Sequence, residues 1–324
     1  MARKGTFEQK LAQLRRAEQD PFSAKSIAAF RKALLGANKA LAAAAAAIVA
    51  QYAVTDLIPD LVASFDRFLG RQDKGCLAKT ALVEALDRLE HYEPELFLRG
   101  LHHVQMEPVY GGRVDTAANL RANCALALAR FGYPDVLFEL ATLVMDPQVE
   151  ARRGAVKALT HLARDESELL LRVKALAGDA EPDVTGECLH GLIQIAPERS
   201  LPFVARFLGG PDLFVAEAAA IALGESRLPE AFGVLHSHWE DSIDPAFKEM
   251  LALPIALTRC DEALAFLLDV VETAHRDTAA AAVRALKVFD DDACRPRIRA
   301  AADTRDEPAV RRAYAEAFQA DTGS

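Results

Sequence analysis

DPQVEARRGAVKAL, residues 146–159, decides the fold, because its grammar returns as EPDVTGECLHGL at 181–192 and DEPAVRRAYAEAF at 306–318. An apolar or small residue opens the phrase, a run rich in small residues follows, and a large apolar residue closes it eight positions on. Seven stretches fit: Leu120–Leu128, Ala151–Leu159, Val184–Leu192, Val215–Leu223, Phe247–Ile255, Thr278–Leu286 and Val310–Phe318. Their closing residues lie 31, 33, 31, 32, 31 and 32 apart. A period near that length predicts a solenoid, in which each unit buries its apolar face only against its neighbours.

The unit reads as helix–turn–helix. Asp146-Pro147, Glu181-Pro182, Pro211-Asp212, Asp244-Pro245 and Glu307-Pro308 put proline near a helix start, where its missing N–H costs nothing. A second apolar helix precedes each: Val136–Val144, Leu169–Leu176, Leu201–Leu208, Leu228–Leu235 and Leu264–Val271. One position before the closing residue stand Ala127, Ala158, Gly191, Ala222, Pro254, Ala285 and Ala317. Small residues there let neighbouring helices approach closely. Pro254 is the exception, and is expected to kink its helix or end its first segment. Alternating β-branched runs are absent, so no strand is expected.

The pattern reaches backward through Ala78–Leu86 and, loosely, Leu41–Val49. The step from Leu86 to Leu128 is 42, and the excess falls in a polar, glycine-bearing insertion at 102–116. The expected architecture is an all-α, right-handed α-solenoid of eight to nine antiparallel helix pairs over residues 22–320. Residues 1–21 form a basic arm or cap, and 321–324 a tail.

Net charge is −9 but unevenly spread. Residues 1–40 hold nine Lys/Arg against three Asp/Glu, whereas 165–324 hold sixteen against twenty-nine. So acidic a half disfavours wrapping a phosphate backbone. The basic start, which includes Arg3, Lys4, Lys10, Arg15 and Arg16, carries few aromatics for base stacking and reads as a solvated cap. Ala40–Ala50, the longest apolar run, is too short to span a bilayer, and no secretory h-region is visible. Five cysteines without a CxxC suit a reducing cytoplasm.

The three quoted phrases resemble those of HEAT-repeat proteins, specifically the short-repeat kind named after phycobilisome lyases. The resemblance covers roughly residues 75–320 and implies a HEAT superhelix. Block 97–128, FLRGLHHVQMEPVYGGRVDTAANLRANCALAL, resembles one in bacterial HEAT-repeat proteins without an assigned activity. Such repeats serve scaffolds, lyase subunits and enzyme appendages alike, so the resemblance implies a fold rather than a function.

Candidate binding residues cluster around the insertion: Arg99, His102, His103, Glu107, Tyr110, Arg113, Asp115, Arg121 and Asn123. Long loops in compact arrays are often functional, and Arg113 with Arg121 has the forked donors for a carboxylate or other small anion. Arg153, Lys157 and His161 stand at i, i+4 and i+8 on one helix face, which in HEAT arrays usually lines the concave surface. His102, His103 and Glu107 do not make a metal site, because adjacent helical histidines point about 100° apart. Cys124 and Cys188 take a position held elsewhere by alanine and read as small core residues; Cys76, Cys260 and Cys294 lie near helix starts, where a dipole lowers a thiol pKa.

No catalytic set, metal or cofactor is expected. The leading expectation is a cytoplasmic, non-catalytic protein-binding scaffold or adaptor using the second-helix face and the insertion. A lyase-like enzyme or chaperone holding a small ligand at 102–116 is the alternative. Nucleic-acid binding, as in HEAT-like alkylpurine DNA glycosylases, ranks last for want of a basic, aromatic-bearing groove.

Overall fold

The computed structural model describes residues 6–70, 73–305 and 307–318. Arg3 and Lys4 of the basic start, and the tail at 321–324, lie outside the described residues. The chain divides into two compact units, Met1–Leu162 and Ala163–Ser324.

The first unit contains α1 (Phe7–Ala17), α2 (Ala24–Leu34), α3 (Lys39–Gln51), α4 (Ile58–Leu69), α5 (Leu77–Arg88), α6 (Pro94–Leu101), β1 (Met106–Val109), β2 (Gly112–Asp115), α7 (Ala118–Arg130), α8 (Val136–Leu143) and α9 (Val149–Leu162). The second contains α10 (Asp165–Ala177), α11 (Pro182–Ile195), α12 (Pro197–Ala205), α13 (Leu213–Ser226), α14 (Pro229–Asp241), α15 (Pro245–Leu257), α16 (Asp261–Thr273), α17 (Arg276–Ala285), α18 (Arg295–Thr304) and α19 (Pro308–Phe318). Each pair from α2/α3 to α18/α19 packs helix on helix. Second helices then stack in sequence, α3 on α5, α5 on α7 and α7 on α9, and in the other unit α11, α13, α15, α17 and α19. The fold is an all-α solenoid. Helix α1 starts at a capping box between Thr6 and Gln9 and covers α2 and α3, with Leu14 buried.

Each closing residue of the repeated phrase is buried, from Leu128 through Phe318. The small residues explain how the second helices come so close. A side chain on Gly154 of α9 would overlap Ala122 of α7. One on Gly224 of α13 would overlap the Pro254 carbonyl of α15. Of the two outcomes expected at Pro254, an end to the helix is not seen: α15 runs on to Leu257. Proline removes one N–H from the ladder, while burial of Leu251, Ile255 and Ala256 around it holds the remaining turns.

A second departure is the insertion, where no strand was expected. Met106–Val109 and Gly112–Asp115 pair antiparallel in the register Met106↔Asp115, Glu107↔Val114, Pro108↔Arg113 and Val109↔Gly112. Gly111 turns the corner at φ 86°, a conformation that glycine adopts without a Cβ penalty.

Helix α10 mixes polar residues into its buried face, beside Leu171 and Ala175. It buries Ser167, Glu168 and Lys174 and exposes Leu169, Val173 and Leu176. The buried charges are paired, Lys174 with Asp179 at 2.8 Å and Glu168 with Arg172 at 2.9 Å.

Gly224→Ala is expected to lower stability by about 1–3 kcal/mol, because a backbone carbonyl cannot swing aside as a side chain can. Gly209→Ala, in open space at an ordinary φ, should change it by under about 0.5 kcal/mol. Denaturant melts of the two variants separate close packing from a general glycine effect.

Candidate functional site

The hairpin is fastened to the solenoid by two buried polar clusters. In the first, Arg121 on α7 donates through Nη1 to Asp115 Oδ2 at 2.7 Å and to the His103 carbonyl at 3.0 Å. Its Nη2 reaches Asp146 Oδ1, in the turn before α9, at 2.9 Å. Only 4 % of Arg121 is exposed. Asp115 Oδ1 accepts from the Gln105 and Ala117 amides at 2.9 and 3.0 Å, clamping both ends of the hairpin. Burial opposes ionisation of Asp115, but those two N–H groups and Arg121 outweigh it and hold the carboxyl below the usual carboxylate range.

The second cluster centres on Lys79 of α5, which is wholly buried. Its ammonium donates to His103 Nε2 at 3.0 Å and to Gln105 Oε1. That bond requires a neutral imidazole with its proton on Nδ1. Burial, reinforced by the Lys79 charge, holds His103 below its ordinary value of 6.5. Gln105 Nε2 donates to the Asp73 carbonyl at 2.7 Å and to Glu107 Oε1 at 2.6 Å. Glu107 Oε1 also accepts from the Gly75 amide at 2.6 Å and the Thr116 hydroxyl at 2.9 Å. Asp73 Oδ2 caps α5 by accepting from the Ala78 and Lys79 amides, both at 2.9 Å.

The residues picked out in the sequence therefore separate. His103, Glu107, Asp115 and Arg121 come together, but as an internal fastening. The expectation that Arg121 serves as a donor to an outside anion is corrected: two carboxylates and a carbonyl take up its Nη1 and Nη2 groups. Asp115 and Glu107 are spent in the same way. Arg99 pairs with Asp66 at 2.8 Å and His102 with Glu139 at 2.7 Å, both at the surface of α6. Asn123 reaches Glu84 at 2.7 Å and lines a groove of about 310 Å³ between α7 and α9 with Arg153 and Lys157. Asn119 and Glu150 complete its polar lining. His161 lies elsewhere on α9, exposed and near Asp87. Lys79, Asp73, Thr116 and Asp146 were not among the anticipated site residues.

Above the fastening the hairpin is open. Tyr110 is fully exposed at its tip, and Met106, Val109 and Val114 are exposed along it. Arg113 is exposed and donates from Nη2 to the Met106 carbonyl at 3.0 Å.

The thiols do not favour nucleophilic chemistry. Cys124 is buried against Gly100, and desolvation drives its pKa upward; Cys188 is pushed up to about 12. At Cys76 and Cys294, near helix starts, burial raises the thiol pKa. Among the described residues no group of three or more His, Cys, Asp and Glu is gathered for a metal, and no helix is long and apolar enough to cross a membrane.

Two outcomes follow from the fastening. Arg121→Met should cost about 3–5 kcal/mol, because it removes the cation between the largely buried Asp115 and Asp146, while Arg99→Met at an exposed pair should cost about 1 kcal/mol or less. Urea titrations compare them directly. His103 is the second. The unfolded chain takes up a proton there more readily than the folded one, so this stability is complete above pH 6.5 and is lost as the pH falls through the folded value. Unfolding free energies measured between pH 7.5 and about 5 should fall more steeply in the wild type than in His103→Gln, whose amide oxygen still accepts from Lys79.

The HEAT-repeat family model matches residues 169–256. No curated protein matches the chain in sequence. Among solved structures, two variants of the karyopherin Kap121p superpose with TM-scores of 0.52 and 0.53, at 14% and 13% identity. Each covers 96% of this chain, which spans about two fifths (40%) of theirs. At that identity the likeness is one of fold. The complex of CpcE and CpcF of phycocyanin lyase from Nostoc sp. matches more loosely, with TM-score 0.34 and 15% identity over 86% of this chain and 94% of that one, too distant to carry weight. The family match covers about a quarter of the chain, and helix pairs of the same kind precede and follow it, so the fold is that of a HEAT-type α-solenoid.

Proposed function

We propose that the chain is a non-catalytic protein-binding scaffold whose contact surface is the hairpin of β1 and β2 together with the groove between α7 and α9. One observation carries the reading: an exposed apolar tip on a firmly held frame. Val109, Tyr110 and Val114 stand in water although the strands beneath them are tied down by buried ionic contacts. Exposed apolar side chains gathered on one element mark interaction sites. Tyrosine and arginine, here Tyr110 and Arg113, are the residue types that most often dominate binding energy. Because the frame is already ordered, a partner meets little conformational entropy cost on docking.

The groove supports the same reading. Glu150 beside Arg153 and Lys157 gives it mixed charge, which suits a protein surface better than a uniform polyanion. The reading asks nothing of Arg121, Asp115 or Glu107 beyond holding the hairpin.

The test uses the full chain as bait in lysate of its native cell, beside a Tyr110→Ser/Arg113→Gln/Val114→Thr variant and an Arg153→Gln/Lys157→Gln variant. Replacing exposed side chains should leave thermal melts unchanged. A specific partner should drop about tenfold or more with the hairpin variant, and less with the groove variant. Identical captured sets from all three baits would overturn the placement.

A further inference from the structure

We infer that the partner is received as an extended strand: β2 offers its outer edge to a peptide segment that alternates apolar residues and carries a carboxylate. This rests on the scaffold reading and makes its partner's conformation specific.

The register determines which backbone groups are free. The two-residue turn Tyr110-Gly111 makes Val109↔Gly112 a hydrogen-bonded pair, so Glu107↔Val114 is the next such pair. The bond from the Thr116 amide to the Gln105 carbonyl at 2.9 Å continues the alternation. Pro108↔Arg113 and Met106↔Asp115 are then the pairs whose N–H and C=O groups point outward.

The two outer edges differ. On β1, Pro108 has no N–H to offer, and the Met106 carbonyl is already taken by Arg113 Nη2. On β2, Arg113 and Asp115 each present an N–H and a C=O with no partner among the described residues. Native proteins ordinarily protect such edges with proline, charge or a covering element. Here β1 has the proline and an occupied carbonyl, whereas β2 has a charge, Arg113, but keeps its outward N–H and C=O groups available. Strand addition to an open edge draws its affinity from main-chain hydrogen bonds and its specificity from alternate side chains.

Side chains narrow the ligand further. Val109 and Val114 are exposed beside the edge and favour β-branched or aromatic residues at alternate positions of an added strand. The hairpin has no free carboxylate, since Glu107 and Asp115 are held by Gly75, Gln105, Thr116 and Arg121. Arg113 is its one exposed charge, so an acidic residue is the complementary partner.

The experiment selects phage-displayed random dodecapeptides on the full chain, with Arg113→Pro as counter-target. That substitution removes one outward N–H from an edge position, where proline is tolerated. Enriched peptides should alternate apolar and polar residues, include Asp or Glu, and slow hydrogen exchange at the Arg113 and Asp115 amides. N-methylation of synthetic peptide at one alternate set of residues should weaken binding about tenfold or more, and at the other set should not. No enrichment over Arg113→Pro, or bound peptide with both amides exchanging as before, would overturn the strand addition. A cellular partner still lost with the Tyr110 triple variant would in that case leave the scaffold standing. Strand-like peptides with no captured partner would separate the two the other way.

Discussion

Second helices of this chain can lie side by side only because their contact line is stripped of bulk. Gly154 against Ala122 and Gly224 against the Pro254 carbonyl mark places where even a methyl group has no room. Close approach brings the flanking residues Leu128, Leu159, Leu192 and Leu223 into full burial. In a repeat protein this contact is the chief source of stability, since no pair has a core of its own. It also fixes the spacing at which side chains of one pair reach the next. The turn aspartate Asp146 meets Arg121 of the preceding second helix at 2.9 Å because α7 and α9 sit so near each other.

That reach is what makes the hairpin possible. A two-stranded ribbon is marginal alone in water. Here its ends are tied by Asp115 to Arg121 and by Glu107 and Gln105 to the segment before α5. Such a fastening is costly to build. Arg121 and Lys79 lose most of their hydration, and Lys79 receives neutral acceptors, His103 and Gln105, in place of a carboxylate. Apolar residues would hold the same volume at lower cost. What ions and amides add is direction, because each donor accepts only a narrow geometry. The hairpin is thereby set in one orientation, which a greasy contact would leave free to slide.

Periodicity was readable because small and large apolar residues recur in a fixed order, and the helix pairs follow from it. The hairpin was not readable. MEPV and GRVD are four residues each, lack alternation and include a proline and charges, so neither stands out as a strand. The glycines of the insertion did not say what they join. The determinants lie about thirty residues upstream, at Asp73 to Lys79, where Lys79 reads as an ordinary helix residue. Arg121 misled for a related reason: an arginine beside an insertion looks available, and only the fold reveals Asp115 and Asp146 on either side of it.

The division of labour among the hairpin's polar groups bears on why it is exposed at all. Every carboxylate it owns is turned inward, while its apolar residues and one guanidinium are turned outward. If the insertion served only to cover the solenoid, the opposite arrangement would be the stable one, with Val109 and Val114 packed below and Glu107 and Asp115 in water. Hydration is being surrendered by charged groups and apolar surface left wet, and both terms weigh against the isolated chain. An arrangement that is unfavourable twice over in the free protein becomes favourable once another surface covers the tip. On the scaffold reading proposed above, the inward charges are the foundation and the outward valines the contact, so the electrostatics of the fastening and the proposed recognition are one device.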